Sequence, residues 1–85
     1  MKYTVRLAPR IRKALDRLPG DVYARVLRKL NALEANPRPH GVEKMSGSEN
    51  LYRVRVGDRR IVYAIRDREL VIVVVRIGHR REIYR

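Results

Sequence analysis

Three arginines in the second half of the chain are spaced for phosphate chemistry. Arg53 and Arg55 lie two apart in Leu51-Tyr52-Arg53-Val54-Arg55-Val56, where apolar and basic residues alternate. On an extended strand that spacing sends both side chains off one face, about 6.5–7 Å apart. Arg60 follows the turn pair Gly57-Asp58 and takes the same orientation on the next strand if that turn is tight. Arg80, Arg81 and Tyr84 arrive from the C-terminal stretch, so the set can make a concave basic site with one phenol in it. The plainer reading is a solvated face of surface arginines. Such faces interleave acids, however, and only Asp58 stands close to Arg53, Arg55 and Arg60 in sequence.

The elements that must position these residues are legible from periodicity. Residues 2–7 alternate, with Tyr3, Val5 and Leu7 on one side, and predict a short half-buried strand. Ala8-Pro9 ends it and opens a helix carrying Ile11, Ala14, Leu15 and Leu18 inward and Arg10, Arg12, Lys13 and Arg17 outward. Pro19-Gly20 stops that helix, and Asp21 is the expected N-cap of a second. Val22, Val26, Leu30 and Leu33 form the buried stripe of the second helix, and Asn36-Pro37 closes it. Residues 35–50 hold two prolines and two glycines and read as an ordered connecting loop, with Val42 and Met45 reaching the core. His40 in this loop is a solvated residue rather than a ligand, since no second histidine or carboxylate cluster offers metal spacing.

Three strands follow. In the first, Tyr52, Val54 and Val56 oppose Leu51, Arg53 and Arg55; in the second, Ile61, Tyr63 and Ile65 oppose Arg60, Val62, Ala64 and Arg66. Asp67-Arg68-Glu69 connects to a third run, Leu70–Ile77, apolar on both faces until Arg76 interrupts, which belongs inside the sheet. Gly78 is expected to turn the chain into a tail, residues 78–85, that folds back over the arginine face. The predicted class is α+β: a short N-terminal strand, a two-helix antiparallel hairpin, a three-stranded antiparallel meander joined into one mainly antiparallel sheet, and a short C-terminal tail. Tyr3, Tyr23, Tyr52 and Tyr63 fall on core faces, with base stacking a further option for Tyr52.

Composition bounds the function. The 85 residues make one domain, 1–85, with room for a single two-layer core. Absent cysteine excludes disulfides and thiolate chemistry. The chain shows no signal segment and no apolar run near the ~20 residues that span a bilayer, so a cytoplasmic address is expected. A net charge of +12 points to a polyanionic partner, nucleic acid before an acidic protein, with an anionic membrane last. Residues 1–49 and 50–85 each carry +6, so the folded surface itself is basic.

The ordered set Lys44-Met45-Ser46-Gly47, Leu51-Tyr52-Arg53-Val54-Arg55, Asp58-Arg59-Arg60-Ile61-Val62-Tyr63 and Ile77-Gly78-His79-Arg80-Arg81-Glu82-Ile83-Tyr84-Arg85 resembles the RelE family within the RelE/ParE toxins. The resemblance spans nearly the whole chain. It implies the toxin of a toxin–antitoxin pair, a ribosome-dependent mRNA endoribonuclease, metal-independent and without a cofactor. In such enzymes a 2′-OH attacks the adjacent phosphorus and leaves a 2′,3′-cyclic phosphate and a 5′-OH. It implies catalytic duty for Arg53, Arg55, Arg60, Arg80 and Tyr84, and RNA contacts from Lys44, Arg59, His79, Arg81 and Arg85. The implied partners are a cognate antitoxin, the ribosome and mRNA, with no membrane. RelE proteins often carry lysines where this chain has Arg53 and Arg55; arginine does not give up its proton, so a strand-borne base is missing and Tyr84 or His79 is left for that role. The alternatives are a ParE-like toxin that poisons gyrase, or a basic RNA- or ribosome-binding module without catalysis.

Overall fold

The computed structural model describes residues 2–47 and 50–79. Seven elements follow in order: β1 (Thr4–Leu7), α1 (Pro9–Asp16), α2 (Gly20–Ala35), β2 (Glu43–Lys44), β3 (Leu51–Val56), β4 (Arg59–Arg66) and β5 (Val71–His79). The five strands make one sheet in the order β1-β5-β4-β3-β2, parallel only between β1 and β5. The α+β class and the strand–hairpin–meander order stand as expected. β5 lies inside the sheet, between β1 and β4.

One face of the sheet is covered by the helices. Ile11 and Leu15 of α1, and Val26, Leu30 and Leu33 of α2, pack with Val54, Val56, Ile61, Tyr63, Ile65, Ile72 and Val74 into one core. The stripes are those that helical and strand periods require, since each element has a single apolar side to hide. Glu34, near the end of α2, ties the edge strand to the helix layer: its carbonyl accepts the Tyr3 amide (2.8 Å) and its carboxylate accepts the Val5 amide (3.1 Å).

Four local expectations are corrected. Helix α2 begins at Gly20 with Pro19 as its N-cap; Asp21 makes no cap bond but lies in the first turn, where its charge still complements the helix dipole. The loop after α2 contains a short strand, β2, because it runs antiparallel to β3 and continues the pairing through Met45 N–H to the Leu51 carbonyl (2.9 Å). Leu70 ends the β4–β5 turn with φ 56°, so β5 starts one residue later. Gly78 and His79 belong to β5 rather than to a tail, since both are paired with β4. Residues 80–85, including the expected fold-back, lie outside the described residues.

A polar clamp holds the loop after α2 against the end of the sheet. Arg38 donates to both carboxylate oxygens of Asp67 (3.2 and 2.9 Å), and its Nε donates to the Tyr52 hydroxyl (3.2 Å). The Tyr3 hydroxyl also donates to Asp67 (2.6 Å). The Tyr52 and Tyr63 rings stack at 6.1 Å, with the Arg38 guanidinium 5.2 Å from the Tyr52 ring centre. Beneath them the buried Tyr63 hydroxyl donates to the Pro37 carbonyl (2.8 Å), and burial pushes its pKa up to about 12.

Two outcomes follow. Tyr63→Phe removes the donor from a buried carbonyl and should cost about 1–3 kcal/mol in urea unfolding. The bonds from Arg38 and then Tyr3 hold the Asp67 carboxyl below its ordinary range. Its contribution to stability is therefore complete above the unfolded value, ~3.9, and is lost as pH falls through the lower folded value. Asp67→Asn should remove this part of the acid-side loss of stability in a melting-temperature series.

Candidate functional site

The site is the sheet face turned away from the helices. Two cross-strand rows define it: Glu43, Arg53, Val62 and Arg76 run across β2, β3, β4 and β5, and Arg55, Arg60 and Gly78 run beside them across β3, β4 and β5. Residues directly opposite one another in antiparallel strands share a face, with side chains about 5 Å apart at Cβ. Arg53, Arg55 and Arg60 are thus brought together as the spacing predicts. Arg55 lies directly across from Arg60, a like-charge pairing that costs stability unless an anion answers it. Glycine opposite Arg60 on β5 adds no side chain to that part of the face.

A fourth arginine joins them through a bulge. Pairing slips between Val62 and Tyr63, so that Val62 faces Arg76 while Tyr63 faces Val74 and Val75 is the extra residue. Without the slip, Arg76 would follow Ile72 and Val74 into the core. With it, Arg76 turns to the arginine face and Ile77 returns inward beside Ile61. Arg76, with Arg10, Met45 and Val62, lines a groove of about 570 Å³.

The arginines differ in setting. Arg60 is 6% exposed, the one buried charged residue among those described. Arg53 is largely covered and donates to Glu43 (3.2 Å), whereas Arg55 is exposed and donates from Nε to the Gly57 carbonyl (2.9 Å). Among the described residues Glu43 is the single carboxylate that the register places on this face.

Other expected site residues fall elsewhere. Lys44 pairs with Tyr52, and Arg59 pairs with both Val56 and His79, so strand alternation puts Lys44, Arg59 and His79 on the opposite parity from Arg60. At the hairpin tip Asp58 accepts from Arg59 (3.2 Å) and lies 3.5 Å from His79 Nε2. Tyr52 points to the helix side, where its ring and hydroxyl are engaged by Tyr63 and Arg38, so its role is packing. Arg80, Arg81, Tyr84 and Arg85 lie outside the described residues. Among the described residues no group of three or more His, Asp or Glu side chains could hold a metal ion, and no helix is long and apolar enough to cross a membrane.

A five-stranded sheet covered on one face by two helices is the fold of a family of small toxins. Residues 5–84 match the family described as ParE toxin of type II toxin-antitoxin system, parDE. Toxin RelG of Mycobacterium tuberculosis is 31% identical over 86 residues, covering all of this chain and 99% of that one. Among solved structures, the archaeal RelE–RelB complex from Pyrococcus horikoshii OT3 superposes with a TM-score of 0.84 at 34% identity, over 94% of this chain and 97% of that one. The toxin–antitoxin complex RelBE2 from Mycobacterium tuberculosis gives 0.80 at 26% identity, over 93% and 99%. The chain belongs to the ParE toxin family of type II toxin–antitoxin systems and is a RelE-like member of it.

The β3–β4 register rests on the turn at Gly57, whose φ of +61° is left-handed, with Asp58 outside that region, the pattern of a type II′ hairpin. A Cβ at Gly57 would meet only the flexible end of Arg25, at 3.4 Å, so backbone strain dominates any substitution. Gly57→Ala should therefore lower the unfolding free energy by about 1–2 kcal/mol in urea denaturation.

Proposed function

We propose that this toxin is a ribosome-dependent endoribonuclease that cuts mRNA and so inhibits translation. The observation that carries the reading is the crowding of Arg53, Arg55, Arg60 and Arg76 on one sheet face, with Arg55 and Arg60 directly opposed. A phosphodiester laid over Val62 and Gly78 would lie beside all four guanidiniums. The charge is useful to a reaction that adds to it. When a 2′-OH attacks the neighbouring phosphorus, negative charge grows on the phosphoryl oxygens, and fixed donors aimed at such oxygens are worth about 3–4 kcal/mol each. The new 2′-O–P bond forms as the P–O5′ bond breaks, giving a 2′,3′-cyclic phosphate and a 5′-OH.

In this reading Arg60, largely shielded from water, binds the phosphoryl group, and Arg53 and Arg55 neutralise the flanking charge. Arg80 completes the phosphate site, and Tyr84 stacks on a base or orients the 2′-OH. Lys44, Arg59, His79, Arg81 and Arg85 extend the RNA-binding surface around the hairpin tip and the C-terminal end, outside the cleavage centre. The chemistry calls for no metal or cofactor. A cognate antitoxin is the proposed protein partner, as in the RelE–RelB and RelBE2 complexes of its relatives, a small acidic or amphipathic protein that covers the basic surface. The proposed setting is the cytoplasm, where translating ribosomes present the mRNA.

The test is to induce the toxin in cells and map mRNA 5′ ends. Codon-phased cuts within translated frames are expected, and Arg60→Ala, Arg80→Ala and Tyr84→Phe should each lower cleavage at least tenfold with the fold intact. Gyrase-dependent DNA damage without RNA cuts would instead establish the gyrase-poisoning reading, and growth arrest with neither would leave a non-catalytic ribosome binder.

A further inference from the structure

We propose, resting on the ribonuclease reading above, that Glu43 is the general base that removes the 2′-OH proton. The reaction requires a proton acceptor, and the arginine face does not supply one from its cations. A guanidinium does not serve as a proton acceptor. The nearest groups with more suitable chemistry, Lys44 and His79, alternate to the other side of the sheet. Tyr84 lies outside the described residues and keeps the stacking or orienting duty given to it above. Among the described residues the register leaves one proton acceptor on the face, Glu43, which stands at the end of the row Glu43, Arg53, Val62, Arg76.

Its surroundings fit the role. Glu43 Oε2 lies 3.2 Å from Arg53 NH2, and the Glu43 side chain is 60% exposed, so it is both aimed and reachable. The charged groups on its face are Arg53 and Arg55 of β3, Arg60 of β4 and, at the far end of its row, Arg76 of β5; its chain neighbour Lys44 alternates to the other side. Val62 lies two strand spacings, roughly 10 Å, from Glu43. A phosphate over Val62 leaves its ribose in that gap, with the 2′-OH toward the carboxylate. The same phosphate competes for Arg53, so substrate arrival draws the guanidinium off Glu43 and frees the oxygen that takes the proton.

The step balances without a co-reactant beyond solvent. Glu43 accepts the 2′-hydroxyl proton, the 2′-oxygen closes on phosphorus, the P–O5′ bond breaks, and the 5′-oxygen takes a proton from water. A positioned base contributes about 10²–10⁴-fold to such a step.

The experiment follows single-turnover cleavage of a defined mRNA on purified ribosomes, across pH, by wild type, Glu43→Gln and Glu43→Asp, with thermal unfolding of each. Glutamine keeps an acceptor for Arg53 but cannot take a proton. Expected for Glu43→Gln are a loss of about 10²-fold or more, mRNA affinity within a few-fold of wild type, and disappearance of the acid limb of the rate profile. Glu43→Asp should be slower yet keep that limb. If wild type cleaves and Glu43→Gln cleaves at a similar rate, or slows with its acid limb intact, Glu43 merely holds Arg53 and the inference is overturned while the ribonuclease reading stands. If wild type itself does not cleave, the ribonuclease reading falls and this inference falls with it.

Discussion

Everything at the proposed site depends on the register between β3 and β4. Side chains alternate along a strand, so a slip of β3 by one residue would send Arg53 and Arg55 into the apolar core, away from Arg60, and bring Val54 and Val56 out to solvent. Two forces prevent it. The two-residue turn at Gly57-Asp58 fixes which residues pair, and burial of Val54, Ile61 and Tyr63 against α1 and α2 penalises any other choice. The arginines are held opposite one another by the hydrophobic face beneath them. That division lets a sheet carry a repulsive charge cluster: burial on one side offsets the crowding of like charges on the other.

The second dependency is the edge. β2 has two residues, too few to hold itself on β3, and its position follows from the loop that leads into it. That loop is fixed at its far end, where Arg38 grips Asp67 across the β4–β5 turn and Pro37 receives the Tyr63 hydroxyl. The clamp lies on the helix side and touches none of the arginines of the site. Its consequence is nevertheless felt there, because it determines where Glu43 meets Arg53. Exposed ion pairs contribute little singly. This one is bidentate, shares its carboxylate with Tyr3 and stacks on Tyr52, so its value lies in fixing geometry more than in strength.

What the sequence reveals follows from how local each feature is. Stripes such as Val26-Leu30-Leu33 and alternations such as Tyr52-Val54-Val56 are written within a few residues, and they predict the helices, the meander and the shared face of Arg53, Arg55 and Arg60. Features set by distant partners are not legible. Arg38 and Asp67 are 29 residues apart, and nothing near either announces the pair. β2 is too short to show a period. Arg76 is the sharpest case: simple alternation places it with Ile72 and Val74 in the core, and only the slip beside Val75 moves it outward. The N-cap of α2 lies two residues before Asp21 because Pro19, with extended backbone, already starts the helix and leaves Asp21 to the first turn.

The composition of the site separates two tasks that lysine would combine. A lysine on a strand both attracts phosphate and, once its pKa is lowered, exchanges protons. Arginine does only the first, and does it at every pH, with a planar fork suited to phosphate oxygens. A face built wholly of guanidiniums therefore gains constant electrostatics and loses its own proton acceptor. The sheet interior cannot easily restore one, since a carboxylate placed centrally would neutralise the arginines it was meant to serve. An edge strand can. At β2 a carboxylate reaches the rim of the charged field, pairs with Arg53, and stays open to solvent. In the proposed mechanism, the position of Glu43 at the margin is what lets acid–base chemistry coexist with so dense a cluster of fixed positive charge.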